Sequence, residues 1–367
     1  MLIFDAHLDL AWNALEWNRN LELPAAQVRE FEKQFVDIVP GDLTVTYPEM
    51  RRGRVGVCIA TLLPRLHRRE PQLTFYQSRE SAYAAAHGQR HYYRAMCAKG
   101  VLRELPDLAS LTSHVEAWNA ASAAAAAPPP IGYILSMEGA PPILSPDQVH
   151  KWHADGLRIV GPAHYGPNEY CHGTGSQGGL TADGRALLKE MRAAGLLLDA
   201  THLADQSFWE ALDVFDGPVL ASHHNCRALV PGDRQLTDEQ LRALIERGAV
   251  IGAAFDNWMI VPGYVKQVTP AAEVSLEQIA DHIDHVCQLA GNARHSGIGT
   301  DLDGGFGREQ SPGDLDTIAD VQQLRGIFER RGYPHADIEG IFWRNFVEFF
   351  GRAWGEDATE LERATAL

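Results

Sequence analysis

Asp5-Ala6-His7-Leu8-Asp9 follows directly on the apolar opening Leu2-Ile3-Phe4. In an extended strand successive side chains alternate between faces, so His7 and Asp9 point the same way from one strand end. An imidazole nitrogen and a carboxylate oxygen converging there suit a borderline divalent cation such as zinc. The same residue types also fix loops at strand ends by hydrogen bonding. The pair therefore takes its meaning from what the rest of the chain sets beside it.

Outward from this stretch, short apolar runs recur at 55–62, 131–137, 158–162, 196–200, 219–222, 250–254 and 296–300, with 2–6 as the first. Between them lie amphipathic stretches at 74–99, 145–154, 181–194, 205–215, 237–247 and 275–290. Eight strands alternating with helices predict an α/β fold with a parallel sheet, and eight is the number that closes a (β/α)8, TIM-like barrel. An open doubly wound sheet is the rival; no Gly-x-Gly-x-x-Gly follows any of the strands to support it. One barrel domain over 1–367 is expected. The alanine run at 120–130, which ends in three prolines, reads as an exposed low-complexity loop within it. The segment 318–351 has helical periodicity, with Phe342, Trp343, Phe346, Phe349 and Phe350 as a core-packing face.

A chain of 367 residues with 45% hydrophobic content has ample material for a core. Lys and Arg number 32 against 48 Asp and Glu, a formal charge of −16, which argues against nucleic acid and anionic membrane as partners. No apolar run reaches the ~20 residues that span a bilayer. The opening has no basic stretch followed by an apolar one of the kind that signals export. The five cysteines are scattered, without Cys-x-x-Cys spacing, and read as free thiols. A cytoplasmic location is the resulting expectation.

Placed on the strand map, the remaining acids and histidines fall at one end of it. Glu138 closes the run 131–137, His164 follows 158–162, His202 follows 196–200, His223 follows 219–222 and Asp301 follows 296–300. The carboxyl ends of barrel strands form the mouth where active sites lie. Singly, each has an ordinary explanation: Glu138 or Asp301 could cap a helix, and a lone His is commonly a satisfied hydrogen-bonder. Together with His7 and Asp9 they crowd like charges at one rim, which is costly unless cations neutralise them. A binuclear metal centre accounts for the set, with His7 and Asp9 on one ion, His202 and His223 on the other, and a carboxylate such as Glu138 between. Two divalent ions roughly 3.5–4 Å apart activate a water and polarise a carbonyl, which is hydrolytic equipment. The N and O donors favour zinc, with manganese or cobalt able to occupy the same site.

These segments resemble the membrane (renal) dipeptidase family of zinc metallopeptidases, within the amidohydrolase superfamily. The resemblance rests on Asp5-Ala6-His7-Leu8-Asp9, Ser136-Met137-Glu138-Gly139, Thr201-His202, Ser222-His223-His224-Asn225 and Gly297-Ile298-Gly299-Thr300-Asp301-Leu302-Asp303-Gly304, in family order. It implies two Zn2+ per chain, one held by His7, Asp9 and Glu138 and the other by His202, His223 and the same Glu138. It implies that His164 stabilises the oxyanion beside the scissile carbonyl, and that Asp301 moves a proton from water to the leaving amine. Arg234 falls where the family grips the substrate carboxylate, a task suited to a planar guanidinium; the competing reading is a surface Arg paired with Asp233 or Asp238.

The implied activity is hydrolysis of dipeptides, with a D-residue accepted at the carboxyl side. The alternative is the same site acting on another small amide, a lactam or an N-acyl amino acid. A catalytically silent scaffold should have lost ligands, and here the expected set is complete. A homodimer is the family expectation. His224 departs from the family pattern and is expected behind the site, and Phe255-Asp256-Asn257-Trp258 is expected to line the pocket. Asp303 is expected to fix its loop. His87, His91, His282 and His285 read as solvated helix positions.

Overall fold

All eight expected strands form, and a short ninth joins them. The computed structural model describes residues 1–35, 41–66, 75–124 and 127–365, with side chains as far as 355. The strands are β1 (Ile3–Leu8), β2 (Val55–Leu62), β3 (Leu102–Glu104), β4 (Ile131–Glu138), β5 (Leu157–Gly161), β6 (Leu197–Asp199), β7 (Val219–Leu220), β8 (Ile251–Ala253) and β9 (Ser296–Ile298). Their spatial order is β7-β6-β5-β4-β2-β1-β9-β8, and every pairing is parallel. β1, β2 and β4 are buried along their whole length, as strands covered on both faces must be.

The two ends of this path meet and close the barrel. Ala221 N donates to Val250 O at 3.2 Å, Gly252 N to Ala221 O at 2.9 Å, and His224 N to Gly252 O at 2.7 Å. Closure here needs glycine. A Cβ on Gly252 or Gly299 would lie 2.1 or 1.8 Å from the Ser222 carbonyl oxygen, so any other residue would force the strands apart.

β3 went unannounced because Leu-Arg-Glu is no apolar run. It pairs with the lower half of β4 (Leu102↔Ile131 to Glu104↔Tyr133), while β5 takes the upper half (Leu135↔Leu157 to Glu138↔Gly161). The alanine-rich stretch is also corrected. Its beginning is the last turn of a helix, Leu108–Ala123, started by Asp107, whose Oδ1 accepts from Ser110 N at 2.8 Å. Residues 125 and 126 lie outside the described ones, as does Thr74, the expected start of the helix seen at Arg79–Ala98.

The segment 318–351 is several pieces rather than one helix. A 3-10 turn (Ile318–Gln323) runs into Leu324–Arg330, and Gly332 (φ 83°) with Pro334 breaks the path before His335–Glu339. A π-turn at Gly340–Arg344 leads into the last helix, Asn345–Thr365. The expected aromatic face does pack: Phe346 and Phe350 stack on Phe4 at ring-centre distances of 5.1 and 5.8 Å, under the strand that carries His7. Among the described residues no helix is long and apolar enough to cross a membrane.

Candidate active site

The seven acids and histidines sit at the carboxyl ends of six strands. His7 is within β1 and Asp9 just beyond it; Glu138 ends β4. His164, His202, His223 and Asp301 each stand three residues past β5, β6, β7 and β9. To aim inward there, His202 and Asp301 take left-handed backbone conformations (φ 67° and 57°), which non-glycine residues seldom adopt without tertiary enforcement.

Two buried carboxylates supply that enforcement. Asp5 Oδ1 accepts from His7 N (3.2 Å) and Thr300 N (2.9 Å), and its Oδ2 from Thr300 Oγ1 (2.7 Å), tying β1 to β9. Asp199 Oδ1 accepts from Thr201 N and Ser222 N, both at 3.0 Å, tying β6 to β7. Asp303 fixes its loop as expected, accepting from Thr44 N and Oγ1 and from Val45 N at 2.8 Å each.

At the centre, the two oxygens of Glu138 face different partners. Oε2 is 3.5 Å from His7 Nε2, while Oε1 is 3.2 Å from His202 Nε2 and 3.4 Å from His223 Nε2. His7 Nε2 is also 3.6 Å from Asp9 Oδ1 and 3.7 Å from Asp301 Oδ1. Three overlapping groups have ligand atoms close enough to share an ion: His7, Glu138 and His223; Glu138, His164 and His202; His7, Asp9 and Asp301.

The far ring nitrogens are occupied. Thr174 Oγ1 lies 2.9 Å from His202 Nδ1, and Ser222 Oγ lies 2.9 Å from His223 Nδ1. A hydroxyl accepting the Nδ1 proton leaves the Nε2 lone pair turned toward Glu138, the tautomer a metal ligand needs. His7 Nε2 is buried and, among the described residues, has no hydrogen-bond partner. These residues fit divalent cations: an orphaned nitrogen, two more Nε2 atoms within reach of one carboxylate, and three acids packed together.

The charges show what a cation would relieve. Burial, joined by the other acids, pushes the Asp301 carboxyl well above the ordinary range, and burial raises Glu138. Burial would lower His7, but the Glu138 and Asp9 carboxylates outweigh it and hold the imidazole well above its usual value. Burial depresses His202 and His223 far below theirs, and the charges of Arg234 and the neighbouring histidines add to it.

The centre opens on two adjoining recesses, of about 360 and about 150 Å3, which share Leu63, Arg65, Glu138, His164 and Tyr165. Arg234 lines the smaller one. It is buried, which overturns the surface-pair alternative: Asp233 accepts instead from Gly175 N (2.8 Å), and Asp238 pairs with His285 (2.8 Å). His224 is outside the three ligand groups. Its Nδ1 sits 3.5 Å behind Arg234 Nη1, and burial followed by the Arg234 charge holds it neutral.

Of the segment Phe255–Trp258 only Asp256 reaches the recess. Phe255 is in the core and Asn257 donates to Ser311 O (2.8 Å). The solvated reading of the helix histidines is corrected at three of the four. His282 is buried between Cys226 N (3.1 Å) and Ile260 O (3.0 Å), His285 is half-buried with Nε2 2.8 Å from Asp238 Oδ1, and His87 stacks on Trp152 at 4.4 Å; His91 is exposed. Arg65 and Lys266 line the recesses without any local motif that announces them.

Barrel and site together define a metal-dependent hydrolase with its ligand-type residues at the carboxyl ends of the strands. The chain belongs to the membrane dipeptidase family, peptidase family M19, whose family model matches residues 1–362. A Klebsiella pneumoniae protein known only as lying in the pqqA 5′ region is 30% identical over 56% of this chain and 76% of its own length. Dipeptidase tcpJ of Claviceps purpurea is 29% identical over 53% of this chain; that match spans 44% of the fungal protein, so this chain corresponds to under half of it. A Rhodobacter sphaeroides metallopeptidase, solved with a phosphinate mimic of L-Ala-D-Ala, superposes with a TM-score of 0.76 over 96% of this chain and 99% of that one, at 23% identity.

Proposed function

We propose that this chain is a zinc-dependent dipeptidase that hydrolyses the amide bond of dipeptides and accepts a D-residue at the carboxyl side. The observation that carries the reading is the division of Glu138 between His7 on one side and His202 with His223 on the other, with a buried Arg234 in the adjoining recess. His7, Asp9 and Glu138 would hold one cation and His202, His223 and Glu138 the second. When bound, two divalent cations supply Lewis acidity and an activated water.

The protein's own groups do the rest. Arg234 binds the free α-carboxylate bidentately and so sets the register of the substrate. His164, on the wall shared by both recesses, supports the carbonyl oxygen as negative charge develops. Asp301 takes a proton from the attacking water and delivers it to the leaving nitrogen; its raised carboxyl pKa suits a group that must hold a proton between the two transfers. Acceptance of a D-residue draws its support from the ligand of the Rhodobacter protein, a phosphinate mimic of L-Ala-D-Ala.

The test is turnover of paired L-Xaa-L-Yaa and L-Xaa-D-Yaa dipeptides by metal-stripped and zinc-reconstituted protein, with Asp301→Asn as control. Zinc-restored cleavage that Asp301→Asn abolishes is the expected result. Cleavage of small amides lacking a free carboxylate, with dipeptides untouched, would overturn the substrate.

A further inference from the structure

We infer that Arg65 is a specificity-determining residue that selects dipeptides with an acidic side chain on the amino-terminal residue. The inference rests on the dipeptidase reading and concerns the recess that Arg234 does not line. With the α-carboxylate on Arg234 in the smaller recess and the scissile carbonyl at the shared wall of Glu138 and His164, the amino-terminal residue extends into the larger one. Arg65 stands on the boundary, where its guanidinium can meet that residue's side chain.

The side chain is held in place by what surrounds it. Its guanidinium carbon lies 4.7 Å from the centre of the Trp12 ring and 5.6 Å from that of Phe75, two cation–π contacts that orient the plane without neutralising the charge. Gly305 faces it, and a Cβ there would come within 3.0 Å of Nη2, so glycine leaves the fork its room. Among the described residues no carboxylate pairs with this guanidinium, and its buried Nε has no hydrogen-bond partner. Of the other cations near the mouth, Arg234 takes the α-carboxylate in this reading and Lys266 lies 3.5 Å from Asp256 Oδ2. A half-buried, oriented guanidinium with no paired carboxylate among the described residues favours a carboxylate ligand over its neutral amide isostere.

The test compares kcat/KM for Glu-Ala against Gln-Ala, and for Ala-Glu against Ala-Gln, with the full-length, metal-loaded protein. Glu-Ala is expected to exceed Gln-Ala by about tenfold. That ratio should fall to about one in Arg65→Met and take an intermediate value in Arg65→Lys, which keeps the charge without the fork. A ratio near one in the wild type, a ratio retained in Arg65→Met, or an acid preference confined to Ala-Glu would each overturn the inference. Because each ratio is internal to one protein, an overall loss of activity in a variant does not mimic the result. If no dipeptide is cleaved, the proposed function falls, and equilibrium binding of glutarate against glutaramate decides Arg65 separately. Tighter glutarate binding lost in Arg65→Met supports the role, and equal binding overturns it.

Discussion

Arg234 Nη2 donates to the backbone carbonyl of His223 at 3.1 Å, so the residue proposed to hold the substrate carboxylate is braced against one of the histidines at the centre. Position of the carboxylate grip and position of His223 are thereby one geometric fact. The link passes through a backbone oxygen, so it survives changes at the imidazole but not at the guanidinium.

Arg234→Met should therefore raise KM for dipeptides about 10–100-fold, the worth of a charge-assisted hydrogen-bonded pair. Discrimination between a dipeptide and its C-terminal amide should vanish with it. Steady-state kinetics on both substrates checks this; a variant that still prefers the free acid would remove Arg234 from carboxylate binding.

Glu138→Gln keeps the volume but removes the charge that faces both halves of the site and the acceptor oxygen that faces one of them. The variant should retain fewer cations than the wild type after gel filtration and lose at least about 10³-fold in activity. Elemental analysis is the deciding measurement. Full metal retention would show that Glu138 does not bridge.

Removing Asp5 should unfasten β1 from β9. Asp5→Ala strands His7 N, Thr300 N and Thr300 Oγ1, buried donors that each cost about 1–3 kcal/mol when unpaired. A loss of ~3–5 kcal/mol in urea denaturation is expected, with Asp5→Asn milder because it keeps an oxygen acceptor. Equal stability of the two variants would mean the carboxylate shape is irrelevant.

His282 gives a pH dependence that owes nothing to the metal site. Burial holds its imidazole down to about 4, so it stays neutral in the folded chain while the unfolded chain takes up a proton below about 6.5. The sign follows: stability is whole above pH 6.5 and is lost as pH falls toward 4. By pH 5 the contribution of this one residue is about 2 kcal/mol. Comparing wild type with His282→Gln at pH 7 and pH 5 isolates it, because Asp5 and Asp303, raised to about 6 by burial, work in the opposite direction in both proteins. The wild-type advantage over the variant should shrink by that amount; an unchanged gap would place the imidazole's titration elsewhere.

Much of this architecture is legible along the chain because parallel barrel strands are buried on both faces and so stand out as apolar runs against amphipathic helices. The strand-end acids and histidines were readable for the same reason, since a polar residue ending an apolar strand has few places to go. β3 escaped notice because three residues, two of them charged, leave no apolar pattern, and the break at Gly332–Pro334 was passed over because the aromatic spacing that set the reading, Phe342 to Phe350, lies wholly beyond it. His282 misled because helical spacing alone does not tell which face is covered.

The order of residues by itself determined eight of the nine strands, most of the helices between them and the set of ligand-type side chains at one rim, all of which depend on local periodicity and residue chemistry. Only the tertiary structure decided that Glu138 divides its oxygens between His7 and the pair His202 and His223, that Arg234 is buried against His223, and that Arg65 and Lys266 share its mouth. Those relations join loops tens to hundreds of residues apart, and which atoms meet there is set by barrel closure and register, quantities no local stretch of chain contains.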